Sequence, residues 1–135
     1  MIEKYIKGEE TTCSILDGKP LPIISIQHTD EFLDHHAKYD NVTTIEGVVE
    51  LPATTYERVA KAAIACYRAL KCSAYARVDM IIKDGIFYVM EVNTLPVVTK
   101  NSLLSKSAQA AGIPYNKLLD MIIESSLQVR RSEGF

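Results

Sequence analysis

Residues 75–93, the most informative segment of the chain, read YARVDMIIKDGIFYVMEVN. Two runs rich in β-branched and aromatic residues flank Lys83-Asp84-Gly85, which is typical of an antiparallel hairpin. Successive side chains of a strand point to opposite faces, so Arg77 and Asp79 share one face of the first strand. Glu91 and Asn93 share one face of the second strand for the same reason. The stretch therefore predicts a hairpin that carries two polar pairs inside otherwise apolar strands.

The length of the hairpin loop decides whether the two polar pairs meet. A three-residue loop with its glycine in the left-handed conformation places Arg77 opposite Glu91. Asp79 then lies opposite Val89 and diagonal to Glu91, and Asn93 is on the same face. A two-residue loop instead puts Asp79 and Glu91 on opposite faces of the sheet. The sequence leaves both registers open, and the metal site described next requires the first.

With the first register, two carboxylates and an amide oxygen converge beside an arginine. Oxygen donors that carry two negative charges suit Mg²⁺, above all where the ion takes its other ligands from phosphates. Asp79, Glu91 and Asn93 are therefore candidate metal ligands, and Arg77 would stabilise charge on a transferred phosphoryl group. The alternative is a solvated face on which Arg77 and Glu91 form a cross-strand ion pair. Charged side chains are costly to bury unpaired, which favours the metal site.

The rest of the chain predicts an α+β fold in which an antiparallel sheet packs against helices. A first hairpin is predicted from strands at residues 10–16 and 21–27, joined by the turn Asp17-Gly18-Lys19-Pro20. Residues 30–47 are polar and weakly periodic, which predicts a loop with a short helical piece. We expect the loop over residues 29–47 to be the least ordered internal segment and to close over the substrate.

Three helices are predicted after this loop. The capping-box spacing of Thr54 and Glu57 opens the first of them. Its apolar face consists of Val59, Ala62, Ala63, Cys66, Ala69 and Leu70. The other two helices cover residues 102–111 and 115–130, and they are separated by Gly112 and Pro114, a C-cap signal and a restart signal.

Length and composition are those of a soluble protein of one domain. The chain has 135 residues, of which 47% are hydrophobic and 24% charged, with a formal net charge of -2. This balance argues against nucleic acid as a partner, and no apolar run approaches the roughly 20 residues that span a bilayer. The first residues lack the apolar core of a secretory signal. Three cysteines without a Cys-x-x-Cys pair indicate a reducing compartment, so we expect a cytoplasmic protein.

Several motifs resemble the D-alanine–D-alanine ligase family of the ATP-grasp superfamily. They are EKYIKGEETT at residues 3–12, AKY at 37–39, AYARVD at 74–79 and EVNTLP at 91–96, followed by Thr99, Ser102 and Leu103. Their order along the chain is the family's order. The resemblance implies the C-terminal half of an ATP-grasp domain. It also implies that residues 1–135 are a single domain and that the family's N-terminal and central domains are absent.

The resemblance implies a role for each matched residue. Asp79, Glu91 and Asn93 match the ligands of Mg²⁺ or Mn²⁺, and Arg77 matches an arginine at the transferred phosphate. Lys4 and Ile6 match a hinge whose backbone reads the adenine edge, Glu10 matches the carboxylate on the ribose, and Lys38 matches a lysine near the phosphates. The residues expected to contact ATP are Glu3, Lys4, Tyr5, Ile6, Glu10, Lys38 and Glu91.

Ser102 and Leu103 match positions that hold the carboxylate of the second amino acid. They open a helix whose free N–H groups favour an anion, and Ser102 can serve as N-cap at the same time. Ser102 and Arg77 are therefore the candidate catalytic residues. Val97 stands where the family has a glycine whose N–H helps to hold the tetrahedral intermediate. A β-branched residue disfavours positive φ, so Val97 is expected to affect which substrate is accepted.

The function implied by the resemblance is the ligation of two D-alanines through an acyl phosphate, at the expense of ATP and for peptidoglycan synthesis. The expected partners are ATP and D-alanine or a related amino acid, with neither nucleic acid nor membrane. Two alternatives remain: a nucleotide-binding or regulatory module without ligase activity, and one subunit of a split ligase. The uncovered sheet face predicts self-association or pairing with an N-terminal polypeptide. For the chain alone we expect Mg·ATP affinity no better than high micromolar and little turnover.

Overall fold

An antiparallel sheet lies at the centre of the fold, as the sequence predicted. The computed structural model describes residues 2–28 and 44–132. The elements in chain order are β1 (Glu9–Leu16), β2 (Lys19–Pro20), β3 (Ile24–His28), β4 (Thr44–Val48), α1 (Ala53–Ala69), β5 (Tyr75–Lys83), β6 (Ile86–Asn93), α2 (Leu103–Ala110) and α3 (Tyr115–Ser132). The strand order is β4-β3-β1-β5-β6, with β2 paired to β1 beside this path. The α+β prediction is confirmed.

One face of the sheet is closed by α1. Alternate residues of β1 and β5 point toward this helix and form the larger apolar core with it. The fully buried members of this core are Cys13, Ile15, Ile23, Val59, Ala63, Ala76, Val78 and Met80. We call this side of the sheet the closed face.

The other face is covered by α2 and α3 at one end only of β1 and β5. Leu16 on β1 packs there with Leu104 and Ala108 of α2 and Leu118 of α3. Farther along the same strands most side chains on this face are polar, and Arg77 and Asp79 remain partly accessible. We call this side the open face, and it carries the residues expected to do chemistry.

The predicted first hairpin is confirmed, but the loop after it was predicted wrongly at its end. Asp17 and Gly18 form the turn, both with positive φ (50° and 71°). Residues 44–47 were assigned to the loop, whereas Thr44–Val48 is strand β4, paired antiparallel with β3. A strand at the edge of a sheet is stabilised by hydrogen bonds to one neighbouring strand. A weakly periodic sequence does not reveal this pairing. The remainder of the predicted loop, residues 29–43, lies outside the described residues.

The capping-box prediction for α1 is wrong. The helix begins at Ala53 after Pro52, and no side chain caps it. Proline has its φ preset near the helical value, and the Pro52 carbonyl accepts from the Tyr56 N–H at 2.9 Å, so the helix starts before Thr54. Its buried positions, Val59, Ala63 and Tyr67, lie four residues apart.

The predicted apolar face of α1 is therefore only partly right. Ala62 and Cys66 are half-buried, whereas Ala69 is exposed and Leu70 is 58% exposed beyond the end of the helix. The two closing helices lie where they were predicted, and Gly112 follows α2 with a φ of 77°. Within the described ranges, no helix is both long and apolar enough to cross a membrane.

Candidate active site on the open face

The β5–β6 hairpin closes with a tighter turn than the metal prediction required. Lys83 pairs with Ile86, so the loop between them contains two residues, Asp84 and Gly85. Both have positive φ (51° and 74°), as the commonest two-residue hairpin turn demands. The three-residue loop is therefore wrong. In a regular ladder this turn would place Asp79 and Glu91 on opposite faces.

A β-bulge in the hairpin restores the common face. The register shifts between Asp79 and Met80, which pair with Glu91 and Val89, and Met90 is left as the extra residue. Asp79 thus lies directly opposite Glu91, rather than diagonal to it. Arg77 lies opposite Asn93, and not opposite Glu91 as the first register implied. The prediction that the two carboxylates share a face is right, although the bulge was not foreseen.

The Asp79 carboxylate is held firmly on the open face. Its Oδ1 accepts from Arg77 Nε at 2.9 Å and its Oδ2 accepts from Arg77 Nη2 at 2.7 Å, which is a bidentate ion pair. The Thr12 hydroxyl also donates to Oδ1 at 2.6 Å. The side chains of Arg77 and Asp79 are 20% and 15% exposed. The expected alternative, a cross-strand pair between Arg77 and Glu91, is therefore wrong, because Arg77 binds the carboxylate on its own strand.

A pocket of about 360 Å³ lies over this carboxylate pair. Its lining residues are Glu3, Glu10, Asp79, Met80, Ile81, Met90 and Glu91. Four acidic residues from three parts of the chain thus meet around one space. The negative field of such a pocket favours a cation over an anion, unless the anion arrives with its own metal.

The donor set suits a cation that completes its shell from a ligand. Within the described ranges, no three His, Cys, Asp or Glu side chains gather closely enough to bind a metal by themselves. Asp79 and Glu91 supply two carboxylates, and Asn93 on the same face supplies an amide oxygen. The Asn93 Oδ1 accepts one hydrogen bond, from the Leu95 N–H at 3.1 Å, which leaves it a second lone pair. Mg²⁺ is typically bound by such an incomplete set together with water and phosphate oxygens.

The predicted adenine hinge approaches the open face at Gly8. A Cβ at this position would lie 2.6 Å from Ile81 Cγ2 and 2.6 Å from the Ile82 carbonyl oxygen, so only glycine allows this contact. Glu3 reaches the acidic pocket, whereas Lys4 and Tyr5 are exposed and Ile6 is half-buried. Of the residues in this segment that are expected to contact ATP, the structure thus brings Glu3 to the carboxylates.

The N-terminus of α2 lies outside the acidic pocket. Ser102 is its N-cap, as predicted: its Oγ accepts from the Ser105 N–H at 3.3 Å and donates to the Thr99 carbonyl at 3.0 Å. Leu103 is half-buried at the first helical position. Val97 is 65% exposed on the segment that leads to this helix, and it is not among the described residues with positive φ. Its side chain therefore causes no backbone strain.

Two residues of the site, Thr12 and Met90, were given no role from the sequence. The predicted phosphate-binding residue Lys38 lies outside the described residues. Thr12 is fully buried on β1 and pairs with Asp79 across the sheet. The pairing of β1 with β5 brings its hydroxyl to Asp79, and no local pattern in the sequence predicts that register. No sequence signal marks Met90 as the bulge residue.

The antiparallel sheet with helices α1, α2 and α3 is an α+β fold, and its structural neighbours are ligases of the ATP-grasp class. The family described as D-ala D-ala ligase C-terminus matches residues 1–124. The chain belongs to that family.

Individual relatives agree with this assignment. The D-alanine–D-alanine ligase of Bacillus anthracis is 72% identical over 135 residues, which is 100% of this chain and 44% of that protein. The crystal structure of that ligase complexed with ATP matches with a TM-score of 0.86 at 68% identity, covering 98% of this chain and 42% of that one. The VanG D-Ala:D-Ser ligase from Enterococcus faecalis matches with a TM-score of 0.76 at 28% identity, covering 90% of this chain and 37% of that one. The chain thus spans less than half the length of these relatives.

Proposed function

We propose that this chain forms the C-terminal part of the active site of an ATP- and Mg²⁺-dependent ligase. The reaction joins two D-alanines to D-alanyl-D-alanine through an acyl phosphate, and it supplies peptidoglycan synthesis in the cytoplasm. The observation that carries the proposal is the placement of Asp79 directly opposite Glu91, beside Arg77, in an acidic pocket on the open face. The 72% identity to the Bacillus anthracis ligase supports the choice of reaction.

Asp79, Glu91 and Asn93 are the residues that would hold Mg²⁺, or Mn²⁺ in its place. The bound ion would neutralise phosphate charge and polarise the phosphoryl group that is transferred. The ion pair with Asp79 uses the Nε and Nη2 groups of Arg77, and an arginine carries five N–H donors. The remaining donors can therefore reach a phosphoryl oxygen while the ion pair stays intact.

The nucleotide is proposed to lie along the open face, from the hinge to the carboxylate pair. Glu3 and Glu10 line the same pocket as Asp79 and Glu91, which supports a ribose and phosphate position there. The backbone of Lys4, Tyr5 and Ile6 would then meet the adenine, and Lys38 would add a positive charge near the phosphates. ATP brings its own negative charge into an acidic pocket, so binding requires the divalent ion.

The second amino acid is proposed to bind at the N-terminus of α2. The carboxylate of D-alanine would meet free backbone N–H groups beside the Ser102 hydroxyl and Leu103, where the helix dipole favours an anion. The exposed Val97 borders this position and would contact the substrate side chain. The VanG match makes D-serine the natural competitor to test against D-alanine.

The rest of the active site is proposed to come from polypeptide beyond residues 1–135. We take these residues as one subdomain, which meets the family's N-terminal and central domains across its open face, or a second copy of itself. The rival assignment, a nucleotide-binding or regulatory module without ligase activity, is not favoured, because the carboxylate pair, Arg77 and the Ser102 cap are all retained.

The test is a chimera in which these 135 residues replace the matching segment of the Bacillus anthracis ligase. We expect D-alanyl-D-alanine to form from D-alanine and Mg·ATP. Asp79→Asn should lower the rate at least about a hundredfold, since it removes a charged group that acts on the transition state. Asp84→Asn is the matched control, because Asp84 lies in the turn of the same hairpin and asparagine tolerates its positive φ.

Two results would contradict the proposal. The first is a folded chimera that binds Mg·ATP and forms no dipeptide with D-alanine or D-serine. The second is an Asp79→Asn chimera as active as the Asp84→Asn control.

A further inference from the structure

The Asp79 carboxylate is nearly saturated with hydrogen bonds, and they come from two sides. A carboxylate offers about four acceptor positions. Thr12 and Arg77 Nε occupy the two on Oδ1, and Arg77 Nη2 occupies one on Oδ2. A cation can therefore be bound through the remaining position on Oδ2, which makes Asp79 a ligand through one oxygen.

Three neighbouring strands each contribute one residue near the Asp79 carboxylate. Thr12 approaches from β1, on one side of β5, and Glu91 lies on β6, on the other side. Arg77 binds along β5 itself. The side of Asp79 toward β1 is thus occupied by a protein hydroxyl, and the side toward Glu91 is left for a ligand.

We infer that Thr12 is a positioning residue, which fixes the Asp79 carboxylate so that its remaining acceptor position on Oδ2 serves the metal-bound nucleotide. The inference rests on the proposed function, because it concerns the same metal site. Thr12 touches neither metal nor substrate and acts through Asp79.

Threonine suits this role better than a longer polar residue. Its β-branched side chain is restricted at χ1 and is fully buried, so the position of the hydroxyl is fixed. The hydroxyl has one proton, and the 2.6 Å contact with Asp79 Oδ1 outweighs the 3.5 Å contact with the Val78 carbonyl. Partners that orient a metal ligand in this way typically change metal affinity or activity by roughly 10 to 100-fold when removed.

The chain contains a matched control one residue away. Thr11 is also fully buried on β1, but it points to the closed face, where its hydroxyl lies 3.4 Å from the Met80 carbonyl. Replacing either threonine by valine removes a hydroxyl from the same strand at the same depth. Only Thr12→Val removes a hydrogen bond from the candidate metal ligand.

The experiment measures binding of Mn²⁺ with ATP to the ¹⁵N-labelled chain, up to millimolar concentrations, from paramagnetic broadening of amide NMR signals. In the unaltered chain we expect the signals of Asp79 and Glu91 to broaden first. Thr12→Val should weaken binding about tenfold or more. Thr12→Ser, which keeps the hydroxyl, should stay within about twofold to threefold of the unaltered chain, and Thr11→Val should equal it. The amide spectrum without metal shows whether each variant is folded. If Thr12→Val does not fold, the comparison uses Thr12→Ala and Thr11→Ala instead of the two valine variants.

The outcomes separate the inference from the proposed function. Equal Mn·ATP binding by the unaltered chain and a folded Thr12→Val would overturn the role of Thr12 and leave the metal site standing. A Thr12→Ser variant as weak as Thr12→Val, or an equal loss in Thr11→Val, would do the same, since the loss would then come from packing. Broadening that spares Asp79 and Glu91 in the unaltered chain would overturn the metal site, and the role of Thr12 with it.

Discussion

The closed and open faces of the sheet are made by the same strands and behave in opposite ways. On β5, Ala76, Val78 and Met80 point to the closed face and are fully buried. Between them, Arg77 and Asp79 point to the open face, where they bind each other and remain partly accessible. Because successive residues of a strand point to opposite faces, adjacent residues on β5 contribute to the apolar core and to the candidate site in turn. Substitutions on one face should change folding, and those on the other should change binding.

The difference also shows where the fold relies on a local irregularity. On the closed face the register shift leaves apolar residues paired with apolar residues, because Val78 lies opposite Val92 and Met80 opposite Val89. The open face depends on the bulge at Met90, which sets Asp79 opposite Glu91 despite the two-residue turn. Bulges commonly redirect side chains next to active sites in this way.

The largest effect on stability is expected from Met80→Ala on the closed face. Met80 is fully buried in the core against α1, so truncation leaves a cavity and should cost about 2–5 kcal/mol of unfolding free energy. Ile81→Ala is the matched control, because Ile81 is the next residue, points to the open face and is half-buried. Urea unfolding of both variants measures the difference. Equal losses would contradict the division between the faces.

The next effect is expected from Gly8→Ala, at the contact between the hinge and the open face. The new Cβ would meet the Ile82 carbonyl at 2.6 Å, and backbone cannot move aside as a side chain can. Overpacking of this kind should cost about 1–3 kcal/mol and displace the hinge. Gly47→Ala, with nothing within 4 Å of its Cβ, should stay within about 0.5 kcal/mol of the unaltered chain. A Gly8→Ala variant as stable as Gly47→Ala would mean that the hinge does not pack on β5.

An intermediate effect is expected at alkaline pH, from a thiol on the closed face. Burial raises the pKa of Cys13 from 9.0 to about 12. The folded state then keeps its proton where the unfolded chain loses it. The contribution of this group to the free energy of unfolding is therefore constant well below pH 9 and falls as the pH rises from about 9 toward 12, by about 1.4 kcal/mol at pH 10.

Cys13→Ala should make the stability of the chain less dependent on pH between 8 and 10. Cys66→Ala is the control, since Cys66 is only half-buried and its variant should keep the full decline. Burial also raises the pKa of Tyr67, which adds to the decline in the same direction at higher pH in both variants. Urea unfolding at a series of pH values makes the comparison, and parallel declines in the two variants would disprove the assignment to Cys13.

The smallest effect is expected from α2, which covers one end of the open face. Within the described ranges the buried Ser107 hydroxyl has no hydrogen-bond partner, so Ser107→Ala should raise stability by about 0.5 kcal/mol. Ser105 is also buried on this helix, but its hydroxyl donates to the Thr99 carbonyl at 2.5 Å. Ser105→Ala should therefore cost about 1 kcal/mol. Thermal unfolding of the pair measures both, and a loss in Ser107→Ala would reveal a partner for its hydroxyl.

Most of the fold was predictable because its signals are local. β-Branched residues marked β1, alternating or apolar runs marked β5 and β6, and the Gly112 signal marked the end of α2. Both hairpins lie where turn residues placed them. Strand β4 was missed because an edge strand is stabilised by pairing that its own sequence does not display. The start of α1 was misplaced because Pro52 outweighed the capping-box pattern.

The candidate site was predictable in its residues and less so in its geometry. Alternation alone predicts that Arg77 and Asp79 share a face of β5 and that Glu91 and Asn93 share a face of β6. The two pairs lie on the same face of the sheet because the bulge at Met90 shifts the register that the two-residue turn would set. This bulge has no sequence signature. The hydrogen bond from Thr12 depends on the pairing of β1 with β5, a contact between residues 67 positions apart. Long-range register of this kind is set by packing and cannot be read from local patterns.

In the proposed site, Asp79 and Glu91 on the open face bind the metal ion of the nucleotide. Anomalous X-ray diffraction from crystals of this chain grown with Mn²⁺ and ATP would locate that ion. The expected result is one Mn²⁺ peak roughly 2–2.5 Å from a carboxylate oxygen of Asp79 and from one of Glu91, with phosphate oxygens completing the shell. A Mn·ATP complex bound elsewhere on the chain, with neither carboxylate on the metal, would contradict it.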